Sequence, residues 1–274
     1  MATKKNVIRV ENKPSSASSS SGKVFTPTAE AKGKASQNRL LAIVLWALAV
    51  VAEVVAMVIL FKKDPEIALT TGKRVMLIVI LLVDLVLLIA GSGFWKKANR
   101  LNPPSKASAL FGIQSQLGII MAAVCFLPVV ILAFIKKEYL VGAIAAAFMV
   151  GGGAASADYN PASQEQYAAQ TSEVETLTGK DFVYWTKSGT KFHLYDDCRY
   201  INTAKTTDIY SGTVAQAREL KNITELCSAC KDRVMKEKGI SEEQLQQAQQ
   251  AAANAIEGTQ LPTTEENGEG EQAE

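Results

Sequence analysis

"LLAIVLWALAVVAEVVAMVILF", residues 40–61, contains one charged residue, Glu53, and no glycine or proline. A helix over this run, rising about 1.5 Å per residue, would cross a hydrocarbon core of roughly 30 Å. "VMLIVILLVDLVLLIAGSGF", residues 75–94, repeats the pattern, with Asp84 as its one charge. A third run, "ALFGIQSQLGIIMAAVCFLPVVILAFI", covers residues 109–135. It carries Gln114 and Gln116 in its first third, and Pro128, which is expected to kink it. The fourth, "YLVGAIAAAFMVGGGAA", residues 139–155, is short and rich in alanine and glycine. Such a helix either packs tightly against its neighbours or inserts marginally.

Basic residues flank the strong runs: Arg39, Lys62, Lys63, Lys73, Arg74, Lys96, Lys97, Lys136 and Lys137. The competing reading is a set of buried helices in a soluble core, but long apolar runs with basic flanks argue against it. The expected fold class is therefore a mostly α membrane protein with four transmembrane helices, multi-pass in the cell membrane, plus a small C-terminal α+β zinc-binding module. The charge balance, 29 Lys+Arg against 27 Asp+Glu in 274 residues, provides no global pull toward nucleic acid.

Polar segments surround the apolar block. Residues 1–39, with "KPSSASSSSGK", have few large apolar side chains and are expected to be a disordered tail. They are too polar for a secretory signal, whose apolar core lies nearer the start. Residues 40–155 form the expected four-helix domain, and residues 156–180 a polar, flexible linker. The expected zinc module occupies residues 181–236. In it, "FVYWT" and "KFHLY" are β-rich runs separated by "KSG", which reads as a hairpin. "TVAQARELK" has the look of a short helix. Residues 241–257 begin with Ser241 and Gln244 at capping-box spacing and are expected to form a polar helix. Residues 258–274 are an acidic segment expected to be disordered.

The chain has one histidine and four cysteines. Four of these five residues fall in the module, as His193-x4-Cys198 and Cys227-x2-Cys230. Cys3His is a common tetrahedral zinc set, and a C-x-x-C turn presents two thiolates to one side of an ion. His193 at the end of "KFH" and Cys198 in the loop after it can close the other side. Two alternatives compete with Zn2+. One is a redox pair at Cys227 and Cys230, for which no thioredoxin-like βαβ pattern is present. The other is unrelated core packing. Cys125, in the third apolar run, reads as a buried apolar thiol.

"VYWTKSGTKFHLYDDCRYI" followed by "ELCSACKD" resembles the zinc modules related to the metal-binding domain of the Ada DNA-repair protein. Similar modules end some secreted nucleases and DNA-uptake proteins of bacteria. The shared positions are Val183, Tyr184, Thr186, Gly189, Lys191, His193, Cys198, Arg199, Cys227 and Cys230, with Phe192 and Ile201 as conservative departures. The resemblance covers about residues 181–235. It implies a small zinc-stabilised α+β fold with His193, Cys198, Cys227 and Cys230 as ligands; the protein is expected to be bacterial. Function does not follow, because such modules are attached to many different proteins.

Binding of nucleic acid rests mostly on that association. The module's basic residues Lys187, Lys191, Arg199, Lys205, Arg218, Lys221, Lys231 and Arg233 are nearly matched by Asp181, Asp196, Asp197, Asp208, Glu219, Glu225 and Asp232. A nucleic-acid surface normally has a net basic face. Four protein ligands also leave zinc no open position for a catalytic water. The chain is therefore expected not to be an enzyme.

Glu53 and Asp84 lie at similar depth if the first two apolar helices form a hairpin. A lone ionised carboxylate there is costly, so both should face the bundle interior. They are read first as a neutral hydrogen-bonded pair that holds helices together, and second as a proton or cation relay. With the N-terminus cytoplasmic and four spans, the inside carries Lys23, Lys32, Lys34, Arg39, Lys96, Lys97, Arg100 and Lys106. The outside carries Lys62, Lys63, Lys73, Arg74, Lys136 and Lys137. That bias, and the free thiols, favour cytoplasmic termini. The expected function is a non-enzymatic membrane-anchored binding or scaffold protein, its partners the lipid bilayer and a protein. The alternatives are a small transporter or channel component using Glu53 and Asp84, and a membrane accessory of DNA uptake or processing.

Overall fold

In the computed structural model, residues 6–9, 29–64, 66–221 and 223–260 are described. The apolar runs are long and unbroken, and a helix satisfies their backbone groups within the segment itself. They are α1 (Ala29–Phe61), α2 (Thr71–Leu101), α4 (Leu117–Ile135) and α5 (Tyr139–Ser156), all long and apolar enough to cross a membrane. Between α2 and α4 lies a short helix, α3 (Phe111–Ser115). α1 packs along α2, and α4 along α5, as two hairpins; further contacts of α2 with α5 and of α1 with α4 close a bundle. Its interior holds Trp46, Ala49, Leu60, Leu77, Leu81, Leu88, Cys125, Phe126, Val129 and Val141. No more than 39 % of any of the four apolar windows is buried, so most of the apolar surface, including Leu41, Val51, Val79 and Val86, points outward. A water-soluble monomer rarely carries so large an apolar surface.

Close approach depends on small residues. A Cβ at Gly91 would lie 2.7 Å from the indole of Trp46, and one at Gly118 would lie 2.7 Å from the carbonyl oxygen of Ser156. The third apolar run is not one helix over residues 109–135. It breaks at Gln116, whose side-chain amide donates to the carbonyl of Asp158 and accepts from its N–H, tying the break to the end of α5. Pro128 lies inside α4.

Two segments expected to be irregular are helical. α1 begins at Ala29, so residues 29–39 are not a disordered tail. The sequence "AEAKGKASQNR" is rich in good helix formers and extends a helix already nucleated by the apolar run. Lys34 adds an i,i+4 bond to Glu30 at 2.6 Å. Residues 6–9 of the expected tail are not disordered either but form a strand paired with residues 208–211, and residues 1–5 and 10–28 lie outside the described residues. The expected linker contains α6 (Gln164–Thr178). Ser163 caps it by accepting the N–H of Gln166, and Gly179 ends it in the left-handed conformation. Tyr167, Ala168, Val174 and Leu177 are its buried face.

The remaining elements are β1 (Asn6–Arg9), β2 (Val183–Trp185), β3 (Lys191–Phe192), β4 (Asp208–Gly212), α7 (Val214–Lys221), β5 (Glu225–Leu226), α8 (Ser228–Lys238) and α9 (Glu242–Gln260). One sheet has the order β1-β4-β2, with Val7 opposite Ile209 in a parallel pairing and Trp185 opposite Tyr210 in an antiparallel one. A second joins β3 and β5 in parallel, Phe192 opposite Leu226. The expected hairpin reduces to one bridge, Tyr184 with His193, closed by two 2.7 Å hydrogen bonds. β2 finds its ladder with β4 instead. Ser241 and Gln244 cap α9 reciprocally, as their spacing implies. That helix runs to Gln260, into the expected acidic tail, of which residues 261–274 lie outside the described residues. The core of this second unit joins Trp185, Phe192, Ile209 and Val234 to Val174 and Leu177 of α6 and Leu245 of α9.

Candidate metal centre

His193 follows β3 directly, and its backbone is fixed by the bridge to Tyr184. The turn after it places Cys198, whose carbonyl accepts from Ile201 and Asn202. Cys227 sits between β5 and α8 and donates its N–H to the carbonyl of Phe192 at 2.9 Å, which brings the C-x-x-C turn beside His193. Cys230 lies in the first turn of α8, and its N–H reaches the carbonyl of Cys227. The four potential ligand atoms all lie within 4.8 Å of one another, and all four residues are buried.

Cys230 Sγ is 3.7 Å from His193 Nδ1. A tetrahedral zinc shell places neighbouring sulfur and nitrogen ligands roughly 3.6 Å apart, so the spacing fits one ion. No disulfide joins the cysteines. Burial pushes the His193 imidazole down to about 4, leaving it neutral and able to ligate. Burial also pushes the Cys230 thiol up to about 12, with Cys198 and Cys227 adding to the effect, while the backbone N–H of Leu194 opposes it. An ion would therefore replace a thiol proton. Such a cluster could hold a metal ion.

Beside Cys198 and Cys230 is an open cavity of about 290 Å³, lined also by Tyr195, Asp197, Arg199 and Arg233. Arg233 lies 4.0 Å over the Tyr195 ring and is paired with Asp197 and Glu237, so this mouth is not a bare basic face. Lys231 on α8 reaches Glu173 on α6 and Glu242 on α9, which ties the helix carrying Cys230 to both.

α6 also holds this unit to the bundle. Glu165 accepts from the Ser105 hydroxyl and from the N–H of Lys106, between α2 and α3. These bonds outweigh burial, which alone would raise its carboxyl, and hold it low. The Gln164 side chain donates to the carbonyl of Pro103, and the Tyr167 hydroxyl to that of Arg100. Arg218 of α7 lies 3.8 Å over the Tyr167 ring. A flexible linker is thus replaced by a docked helix. Glu165, Tyr167 and Arg218 were not among the expected site residues. Tyr167, Val174 and Leu177 were its available signal, a sparse helical stripe in a polar segment.

Glu53 and Asp84 both reach the bundle interior, at 2 % and 0 % exposure. They do not form the expected hydrogen-bonded pair. Glu53 Oε1 accepts instead from the N–H of Val129 on α4, at 3.1 Å. Glu53 Oε2 and both oxygens of Asp84 have no hydrogen-bond partner among the described residues. Cys125 lies in the same core as part of the apolar packing.

No protein-family model, curated protein or solved structure matches the chain.

Proposed function

We propose that this chain is a multi-pass membrane protein whose four helices carry a structural zinc module at the membrane surface, where the module binds a protein partner. The carrying observation is the closed set of His193, Cys198, Cys227 and Cys230, with every ligand atom within 4.8 Å of the others. Four protein ligands complete a tetrahedron, so bound zinc would supply folding energy and leave no position for substrate or water. The module is then a non-enzymatic binding element of the Ada type. The balanced charge around its cavity favours a protein over nucleic acid.

The membrane location draws on the outward-facing apolar belt of α1, α2, α4 and α5. Their even number agrees with the pairing of β1 with β4, since residues 6–9 and 208–212 must share a compartment to share a sheet. The basic flanks and free thiols favour the cytoplasm as that compartment. The α6 anchors hold the module in a fixed orientation on the α2–α3 connection. This makes the protein a scaffold that presents one surface at a set distance from the bilayer.

Reporter fusions at each terminus, each active on one side of the membrane only, test the arrangement. Cytoplasmic activity at both ends, with the protein retained in the membrane through an alkaline carbonate wash, supports it. Opposite activities at the two ends, or release by the wash, refute it.

A further inference from the structure

Among the described residues, two carboxyl groups, Glu53 and Asp84, are buried inside the bundle with no basic side chain paired to either. Glu53 lies on α1 and Asp84 on α2, and these two helices pack along each other. Among the described residues, Glu53 Oε2 and both Asp84 oxygens have no hydrogen-bond partner. Buried polar groups in folded proteins are almost always satisfied, so three orphan oxygens within one apolar core indicate an occupant.

The charged groups of the surrounding helices lie elsewhere. Lys63, Arg74 and Lys136 gather with Glu138 at one end of the bundle. Arg39 bonds Asn102, and Lys96 bonds Ala155 and Ala157, at the other. Cys125 on α4 is the other titratable group near the carboxyls, and α5 contributes Val141, Ala145 and Phe148, none of them titratable.

α4 adapts to the site. Pro128 has no N–H and crowds the preceding turn, which weakens the local helical ladder. The next residue, Val129, turns its N–H to Glu53 Oε1. That bond anchors one oxygen and leaves the other three facing an unmet demand.

We infer that Glu53 and Asp84 together form an exchangeable proton-binding site inside the four-helix bundle. Two neighbouring carboxyls in an apolar setting cannot both remain ionised without a counter-charge. A hard metal cation would need about six oxygens, twice the number left over. A proton needs no cavity and no further ligand. Among the described residues no fixed acceptor engages an O–H of Asp84, so no hydrogen bond locks the proton in place. The inference rests on the proposed membrane location but not on the metal module.

The test is the infrared carbonyl band of protonated carboxyl groups in the full chain. The protein is purified in dodecyl maltoside, which has no ester carbonyl, after the carbonate wash has shown membrane residence. Release by that wash would sink the membrane reading before the proton site is examined. At neutral pH exposed carboxylates are ionised, so a remaining band reports buried groups. The expected result is a band that shifts in D2O, fades as pH is raised, and is lost in Glu53→Gln/Asp84→Asn. The double variant should keep its far-UV helical signal, and if it does not, Asp84→Asn alone should shift or reduce the band. Absence of the band at neutral pH overturns the inference. A band that never exchanges identifies a locked structural acid and also overturns it. Loss of the band on adding sodium chloride at constant pH would assign the site to a metal cation instead.

Discussion

The carboxyl of Glu53 on α1 accepts the backbone N–H of Val129 on α4, at 3.1 Å, in the bundle interior. The donor is the residue after Pro128, where the helix ladder is weakest. This bond joins the two hairpins at mid-depth. Glu53→Gln keeps an acceptor oxygen and should lower stability by less than about 1 kcal/mol, whereas Glu53→Leu leaves a buried N–H unpaired and should cost about 1–3 kcal/mol. Thermal melts of both variants in one detergent check this. Equal melting temperatures for the two would show that the bond contributes nothing.

Glu138 closes one end of the bundle. It is buried, accepts the N–H of Leu69 and the Nε of Arg74 at 2.9 Å each, and lies 3.5 Å from Lys63 Nζ. Burial alone would raise its carboxyl; the Leu69 and Arg74 bonds and the two cations outweigh it and hold it below the ordinary value. A depressed carboxyl stabilises the fold above its unfolded pKa, about 4.3, and that stability is lost as pH falls through the lower folded value. Wild type should therefore lose stability below about pH 4.5 more steeply than Glu138→Gln. At neutral pH the variant should be less stable by on the order of 1–3 kcal/mol. Melting temperature against pH for both proteins measures the difference. Parallel curves would contradict the role given to Glu138.

Docking of α6 should be visible to proteases. Glu165→Ala removes the acceptor for Ser105 and Lys106, and Tyr167→Phe removes the bond to the carbonyl of Arg100. The double variant should be cut between residues 157 and 178 at least several-fold faster than wild type, because local opening controls cleavage. The bundle and the C-terminal unit should survive as separate fragments. An unchanged cleavage rate would mean that the anchors do not hold the helix.

Much of this architecture can be read from the sequence, and the exceptions have identifiable causes. Leu40–Phe61 and Val75–Phe94 are legible because helix formation by a long apolar run needs no knowledge of neighbours. His193, Cys198, Cys227 and Cys230 are legible because their chemistry is rare in this chain and their spacing is local. α6 is not, since its stripe of Tyr167, Val174 and Leu177 is sparse and its stability comes from α9 and the α2–α3 connection. β2 pairs with β4, more than twenty residues away, rather than with the nearby β3, and turn residues such as Lys187 and Ser188 give no sign of that choice. The bond from Val129 to Glu53 links residues 76 positions apart. The sequence marks only the proline that frees its donor.

The central claim is that His193, Cys198, Cys227 and Cys230 hold one structural zinc ion. Metal content of the purified full-length protein, measured by mass spectrometry together with protein concentration, tests it most directly. The account expects one zinc per chain, lost in Cys227→Ser along with the folded signal of the C-terminal unit. A metal-free protein that keeps the same far-UV spectrum and the same protease resistance in that unit would contradict it.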